Sequence, residues 1–221
     1  MSGREAILGR IRRANGDPAR RQAAEARIQT APKGVIPARG QLPDAEHVEL
    51  FIRQATAAAA TVERVASADA VPAAVSAYLR ARNLPASIRM GADERLATMP
   101  WAGEATLTVL SGPSDGHDEV GVSHGFRGVA ETGTLVLTSG GENPTTINFL
   151  PDHHVVVLKA ADVAGDLETA ISAVRARYGK GSMPRTLNLI TGPSRSGDIE
   201  QKLLLGAHGP RALHIVVVDG E

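Results

Sequence analysis

The chain has 221 residues, enough for one large domain or a domain with an arm. Its 24 basic residues equal its 24 acidic ones, so its net charge offers no general pull toward nucleic acid or acidic membranes. It has no cysteine, which excludes disulfides, a thiol nucleophile and thiolate-held zinc or iron–sulfur centres in this chain.

Ser2 and Glu5 stand at capping-box spacing, and Ile7, Leu8 and Ile11 make one apolar stripe, which predicts a helix over 3–14. Residues 18–28 read as a second helix, thin in apolar residues. Pro32, Gly34, Pro37, Gly40 and Pro43 mark 30–43 as a linker. The expected division is an N-terminal helical arm and linker, 1–43, followed by an α/β domain, 44–221. Asp44 caps a helix that presents Val48, Phe51, Ile52 and Ala55 on one face. Next come a strand at 61–65, a helix at 71–81, and strands at 86–90, 106–110 and 120–122. Residues 130–139 form a strand region turned at Gly133. A short helix at 145–150 is stopped by Pro151, and 153–159 is a buried strand. An amphipathic helix over 162–178, a strand at 186–190, a helix at 198–205 and a last strand at 213–218 complete the order. Such alternation implies right-handed crossovers and a mostly parallel sheet covered on both faces. Ligands in such sheets bind beyond the C-terminal strand ends. The sequence shows no secretory signal and no apolar run of membrane-spanning length, so the expected location is cytoplasmic.

Three stretches hold residues suited to chemistry. Thr191-Gly192-Pro193-Ser194-Arg195-Ser196-Gly197-Asp198 reads as a tight loop between a strand and a helix start. Gly192 lets the backbone turn, Ser194 and Ser196 supply hydroxyls, Arg195 supplies a planar cationic fork, and Asp198 caps the helix. A loop of this kind suits an anion, because free N–H groups and the helix dipole meet there. It also suits a plain capped turn. The second stretch is Glu131-Thr132-Gly133-Thr134. Glu131 could act as base, nucleophile or ligand contact, with Thr132 and Thr134 bonding substrate and Gly133 allowing close approach. It also reads as a salt-bridged loop beside strand-forming threonines. The third is Gly206-Ala207-His208-Gly209-Pro210, where His208 is an acid–base or anion-contact candidate in what is otherwise a connecting turn. The seven histidines do not show a metal-ligand spacing: His153 and His154 are adjacent, so in a strand they face opposite sides.

Together these stretches resemble the lactate-utilisation protein C family, also called the LUD domain family. Arg4-Glu5-Ala6-Ile7-Leu8 resembles its N-terminal helix, and Phe149-Leu150-Pro151 followed by His154 fits as well. The resemblance implies a three-layer α/β/α Rossmann-like sandwich of the sugar-phosphate isomerase and CoA-transferase (NagB/RpiA/CoA-transferase-like) superfamily. It also implies an accessory part in oxidising L-lactate to pyruvate, with no cofactor in this chain and iron–sulfur clusters in partner proteins. On that reading Glu131 and His208 are the candidate catalytic groups. Thr132, Gly133, Thr134, Gly192, Ser194, Arg195, Ser196 and Asp198 would line one cleft for a small anionic metabolite. Two other readings compete: a stand-alone CoA-transferase-like or sugar-phosphate-handling enzyme using Glu131, and a non-catalytic interaction module.

Overall fold

The computed structural model describes residues 3–197, 203–205 and 208–220. The chain divides into two compact units, Met1–Val35 and Ile36–Glu221. The first holds helices α1 (Gly3–Asn15) and α2 (Pro18–Thr30). Asp17 caps α2 by accepting from the Ala19 N–H at 3.0 Å, and Pro18 fills the first helical position, where no N–H is needed. Neither helix buries a residue, because each has too few apolar positions to make a core.

The second unit begins with α3 (Asp44–Ala57), β1 (Thr61–Val65), α4 (Val71–Ala81), β2 (Ser87–Met90) and α5 (Glu94–Ala97). Strands β3 (Thr108–Ser111), β4 (Val120–His124), β5 (Arg127–Val129) and β6 (Thr134–Thr138) follow. Then come α6 (Thr145–Phe149), β7 (His153–Lys159), β8 (Val163–Ala164), α7 (Leu167–Tyr178) and β9 (Leu187–Ile190). The remaining strands are β10 (Arg195–Gly197), β11 (Leu203–Leu205) and β12 (Ala212–Val218). Ile36–Pro43 runs along this unit. Gly40 is buried there, and a Cβ on it would lie 2.9 Å from the Gly165 carbonyl.

Six strands form one wholly parallel sheet in the order β1-β12-β7-β4-β2-β3. Its central strands are apolar on both faces, with the two-residue alternation sorting side chains between two cores. Val155 and Val157 of β7 face α4 with Val216 and Val218 of β12, among Val71, Val75 and Leu79. Val156, Leu158, Ile215 and Val217 face the other way, toward Leu50, Phe51 and Ala55 of α3. The expected mixed α/β fold with a mostly parallel, helix-covered sheet is therefore what forms.

Three features differ from the sequence reading. The strands at 134–138 and 187–190 do not join the parallel sheet. They build a second sheet, β8-β5-β6-β9, in which β6 pairs antiparallel with both β5 and β9. Leu135 and Leu137 of this sheet share the α3-side core. Its outer side packs on α7 through Val129, Val136, Ala170 and Val174. The helix expected over 198–205 is also not found where the chain is described. Leu203–Leu205 is a strand, paired antiparallel with Arg195–Gly197. Three consecutive apolar residues fit a short helical or a short extended run equally, so periodicity does not separate them. Residues 198–202 lie outside the described residues. Finally, α7 begins at Leu167 rather than 162, because Asp166 caps it by accepting from the Thr169 N–H at 2.8 Å.

Candidate functional site

The 191–194 loop follows β9 and meets the turn that leads into β12. Ser194 N–H donates to the Pro210 carbonyl at 2.8 Å, and Gly209 is small enough for the Ser194 side chain to pack against it. Behind them lie Asn148 and Phe149 at the end of α6, His154 near the start of β7, and Leu213 near the start of β12. These residues enclose a pocket of about 220 Å³. That is below the roughly 300–1,000 Å³ of drug-sized ligand sites and suits a small metabolite.

Two of the lining residues, Asn148 and His154, are joined by a buried polar chain that runs through Ser123 behind the pocket. Ser123 on β4 donates to Asn148 Oδ1 at 2.7 Å, and His154 Nε2 lies 2.9 Å from the Ser123 hydroxyl oxygen. Asn148 and His154 are fully or almost fully buried. Burial penalises a charged imidazole, so the His154 pKa is pushed down to about 3 and the ring is neutral at physiological pH. His208 contributes an exposed ring at the rim.

The structure brings together part of the expected site and separates the rest. Thr191, Gly192, Ser194 and His208 share the pocket. Thr132, Thr134 and Thr191 are linked by a hydroxyl row, with oxygen–oxygen distances of 2.7 and 2.6 Å, so 132–134 borders the pocket loop. Gly133 and Gly192 both have left-handed backbones, at φ +65° and +75°. Both press on the last turn of α3, at Ala55 and Ala58. Glu131 is not among the pocket residues. It is buried at the start of α7, where Oε1 accepts from the Leu167 N–H at 3.0 Å and Oε2 has no partner among the described residues. A carboxylate there complements the positive end of the helix. Of the remaining candidates, Ser196 lies in β10 and Asp198 lies outside the described residues.

Arg195 does not turn its fork to the pocket. Its Nη2 donates to the Ala58 carbonyl at the C-terminal end of α3, where a cation is favourable. Arg195→Ala is accordingly expected to cost about 1 kcal/mol of stability, the scale of an exposed charge interaction. Pyruvate affinity should be unchanged, as thermal melts with and without pyruvate would show.

The pocket's place in the fold also differs from expectation. Thr191 does follow a C-terminal strand end, but that strand, β9, belongs to the second sheet. In the parallel sheet the pocket borders the starts of β7 and β12, the end opposite the usual ligand crevice. Sequence reasoning missed Ser123 and Asn148, and it met His154 only as a metal candidate and as part of a motif. A single serine in a strand and a single asparagine in a short helix carry no spacing signal. The adjacency of His153 and His154 did carry one: His153 faces Tyr78 of α4, with its Nδ1 2.8 Å from the phenol oxygen, while His154 faces Ser123.

With a parallel α/β sheet, a second sheet and this pocket in place, the class is that of a Rossmann-like protein with an added antiparallel layer. The LUD domain model matches residues 48–218, and the chain belongs to that family. The chain is 34% identical over 129 residues to lactate utilization protein C of Geobacillus kaustophilus, covering 54% of each chain. It is 39% identical over 102 residues to lactate utilization protein C of Geobacillus thermodenitrificans, covering 45% of this chain and 42% of that one. It thus spans about half the length of the curated relatives it matches. The crystal structure of a DUF162 family protein from Deinococcus radiodurans has the same fold, with a TM-score of 0.59 at 21% identity. That match covers 80% of this chain and 99% of the other. Among the described residues, no helix is long and apolar enough to cross a membrane.

Proposed function

We propose that this chain is an accessory component in the oxidation of L-lactate to pyruvate, working in the cytoplasm with iron–sulfur partner proteins, and that its pocket holds a small carboxylate metabolite. The observation that carries this reading is the convergence of 191–194 and 208–210, two of the stretches that resemble the family, on one pocket. Its scale suits a metabolite of a few heavy atoms. His208 presents its ring at the rim, where it can hydrogen-bond a ligand, and Asn148 lies in the wall. These 221 residues hold no cysteine, so on this reading the thiolate-held clusters that take up electrons from lactate belong to the partner proteins. The use of Glu131 as a CoA-transferase nucleophile is less well supported, since one of its oxygens is bonded at the start of α7 and the residue is outside the pocket.

Deleting the gene is expected to abolish growth on L-lactate as sole carbon source while leaving growth on pyruvate intact. The intact chain supplied in trans should restore it. Undiminished growth of the deletion strain on L-lactate would refute the proposal.

A further inference from the structure

We propose that Asn148 is the ligand-orienting donor of the pocket, binding a small molecule through a carbonyl or carboxylate oxygen, and that Ser123 and His154 are positioning residues that set its orientation. The assignment of a carboxylate metabolite to this pocket is taken from the proposed function; the recognition element and its polarity are new.

The argument starts from the hydrogen-bond inventory of the three groups. An amide oxygen only accepts, so the single Ser123 hydroxyl proton is committed to Asn148 Oδ1. Ser123 therefore has only lone pairs to offer His154. The His154 Nε2 atom, 2.9 Å away, must carry the proton that completes the chain. The ring is then the neutral tautomer protonated at Nε2 and bare at Nδ1. This polarity fixes the other end of the chain. With Oδ1 turned to Ser123, Asn148 is left with its Nδ2 amide, which carries two protons and has no partner among the described residues. Asn148 is completely buried, and it belongs to the pocket wall. Buried polar groups are otherwise almost always paired, so a donor left over in a pocket wall marks the place where a ligand acceptor completes the pattern. The acceptor must be an oxygen or a bare nitrogen. A 2-oxo acid offers both a carbonyl and a carboxylate oxygen.

Holding Asn148 in this way needs all three side chains. They come from β4, α6 and β7, so the donor direction is set by regular elements, two of them strands of the parallel sheet, rather than by the loop. The 191–194 and 208–210 segments then act as the walls that admit or exclude the rest of the ligand.

Two measurements on the full chain test the inference. The first is the nitrogen NMR spectrum of the His154 ring, assigned by its loss in His154→Asn. Between pH 6 and 8 it should show the neutral ring protonated at Nε2. A ring protonated at Nδ1 would mean that Ser123 donates to His154 and Asn148 presents its oxygen, which overturns the proposal. The second is a pyruvate titration. Asn148→Asp, close in shape but without the donor, should bind pyruvate at least tenfold more weakly than wild type. Ser123→Ala keeps the donor but frees it, and should weaken binding severalfold while shifting the His154 ring signals. Unchanged pyruvate affinity in Asn148→Asp, or no binding by the wild-type chain at millimolar pyruvate, would overturn it. If the deletion strain grows on L-lactate yet Asn148→Asp loses pyruvate, the pathway assignment fails and this one stands. If the growth defect appears but Asn148→Asp binds normally, the reverse holds.

Discussion

Lowering the pH from 7 to 4.5 is expected to remove about 5 kcal/mol of folding stability through two buried histidines, by the linkage between proton binding and folding. Burial is the main cause in both cases, pushing His154 to about 3 and His214 to about 4. His214 is stacked on the Tyr78 ring at 4.3 Å between centroids, and the nearby Arg82 charge lowers it further. In the unfolded chain both rings titrate near pH 6.5. Above that pH neither state binds the proton, so the rings make no difference. Below it the unfolded state holds more protons than the folded one, and stability falls by about 1.36 kcal/mol per pH unit per ring. Two rings over two pH units give the stated loss, which continues until the folded rings take up their own protons. His124 and His153 are also pushed down by burial and act in the same direction. Urea unfolding at a series of pH values measures the slope. His214→Asn should roughly halve it, and a flat profile between pH 6.5 and 4.5 would contradict the neutral burial of these rings.

Gly133→Ala and Gly192→Ala are each expected to destabilise the protein by about 3 kcal/mol or more. Two costs add: a left-handed backbone, roughly 1–2 kcal/mol for an L-residue, and overpacking, about 1–3 kcal/mol. The overpacking is severe because the obstacle is backbone. A Cβ at Gly133 would lie 2.2 Å from the Ala55 nitrogen, and one at Gly192 would lie 2.1 Å from the Ala58 oxygen. A side chain could rotate away, but the last turn of α3 cannot. For a chain of this size the melting temperature should fall by on the order of 10 °C. Gly103 provides the control: nothing lies within 4 Å of a Cβ there, so Gly103→Ala should stay within about 0.5 kcal/mol. Equal melting temperatures for all three variants would show that the two loops do not press on α3 as described.

The parts of the fold that the sequence made legible are those whose residues face the same demand everywhere along the element. Val155-Val156-Val157-Leu158 and Ile215-Val216-Val217-Val218 are apolar without alternation, as strands covered on both faces must be. The helix at 71–81 follows from its apolar stripe, and its observed limits are the same. The separation of β6 and β9 into a second sheet was not legible. Leu135-Val136-Leu137 is as apolar as a central parallel strand, because it too is buried on both sides, between α3 and α7. Partner choice and strand direction are set by tertiary packing, which local pattern does not encode. The same division applies to the pocket. Its loops announce themselves through Gly192, Pro193, Gly209 and Pro210, whereas Asn148 draws its meaning from Ser123, 25 residues away. Glu131 was conspicuous as a carboxylate beside a turn, but its partner, the Leu167 N–H, is 36 residues further on.

The break between Val35 and Ile36 gives the chain's electrical neutrality a different meaning. The first 35 residues carry eight basic side chains against three acidic ones, and the other 186 carry 16 against 21. The balance is thus a cancellation between a unit at +5 and a unit at −5. Electrostatic fields decay over about 8 Å at physiological ionic strength, so a surface touching one unit feels that unit's own charges most strongly. The arm confronts such a surface as a polycation and the body as a polyanion. A molecule with no net charge can therefore bind acidic and basic matrices alike, and release both as salt is raised.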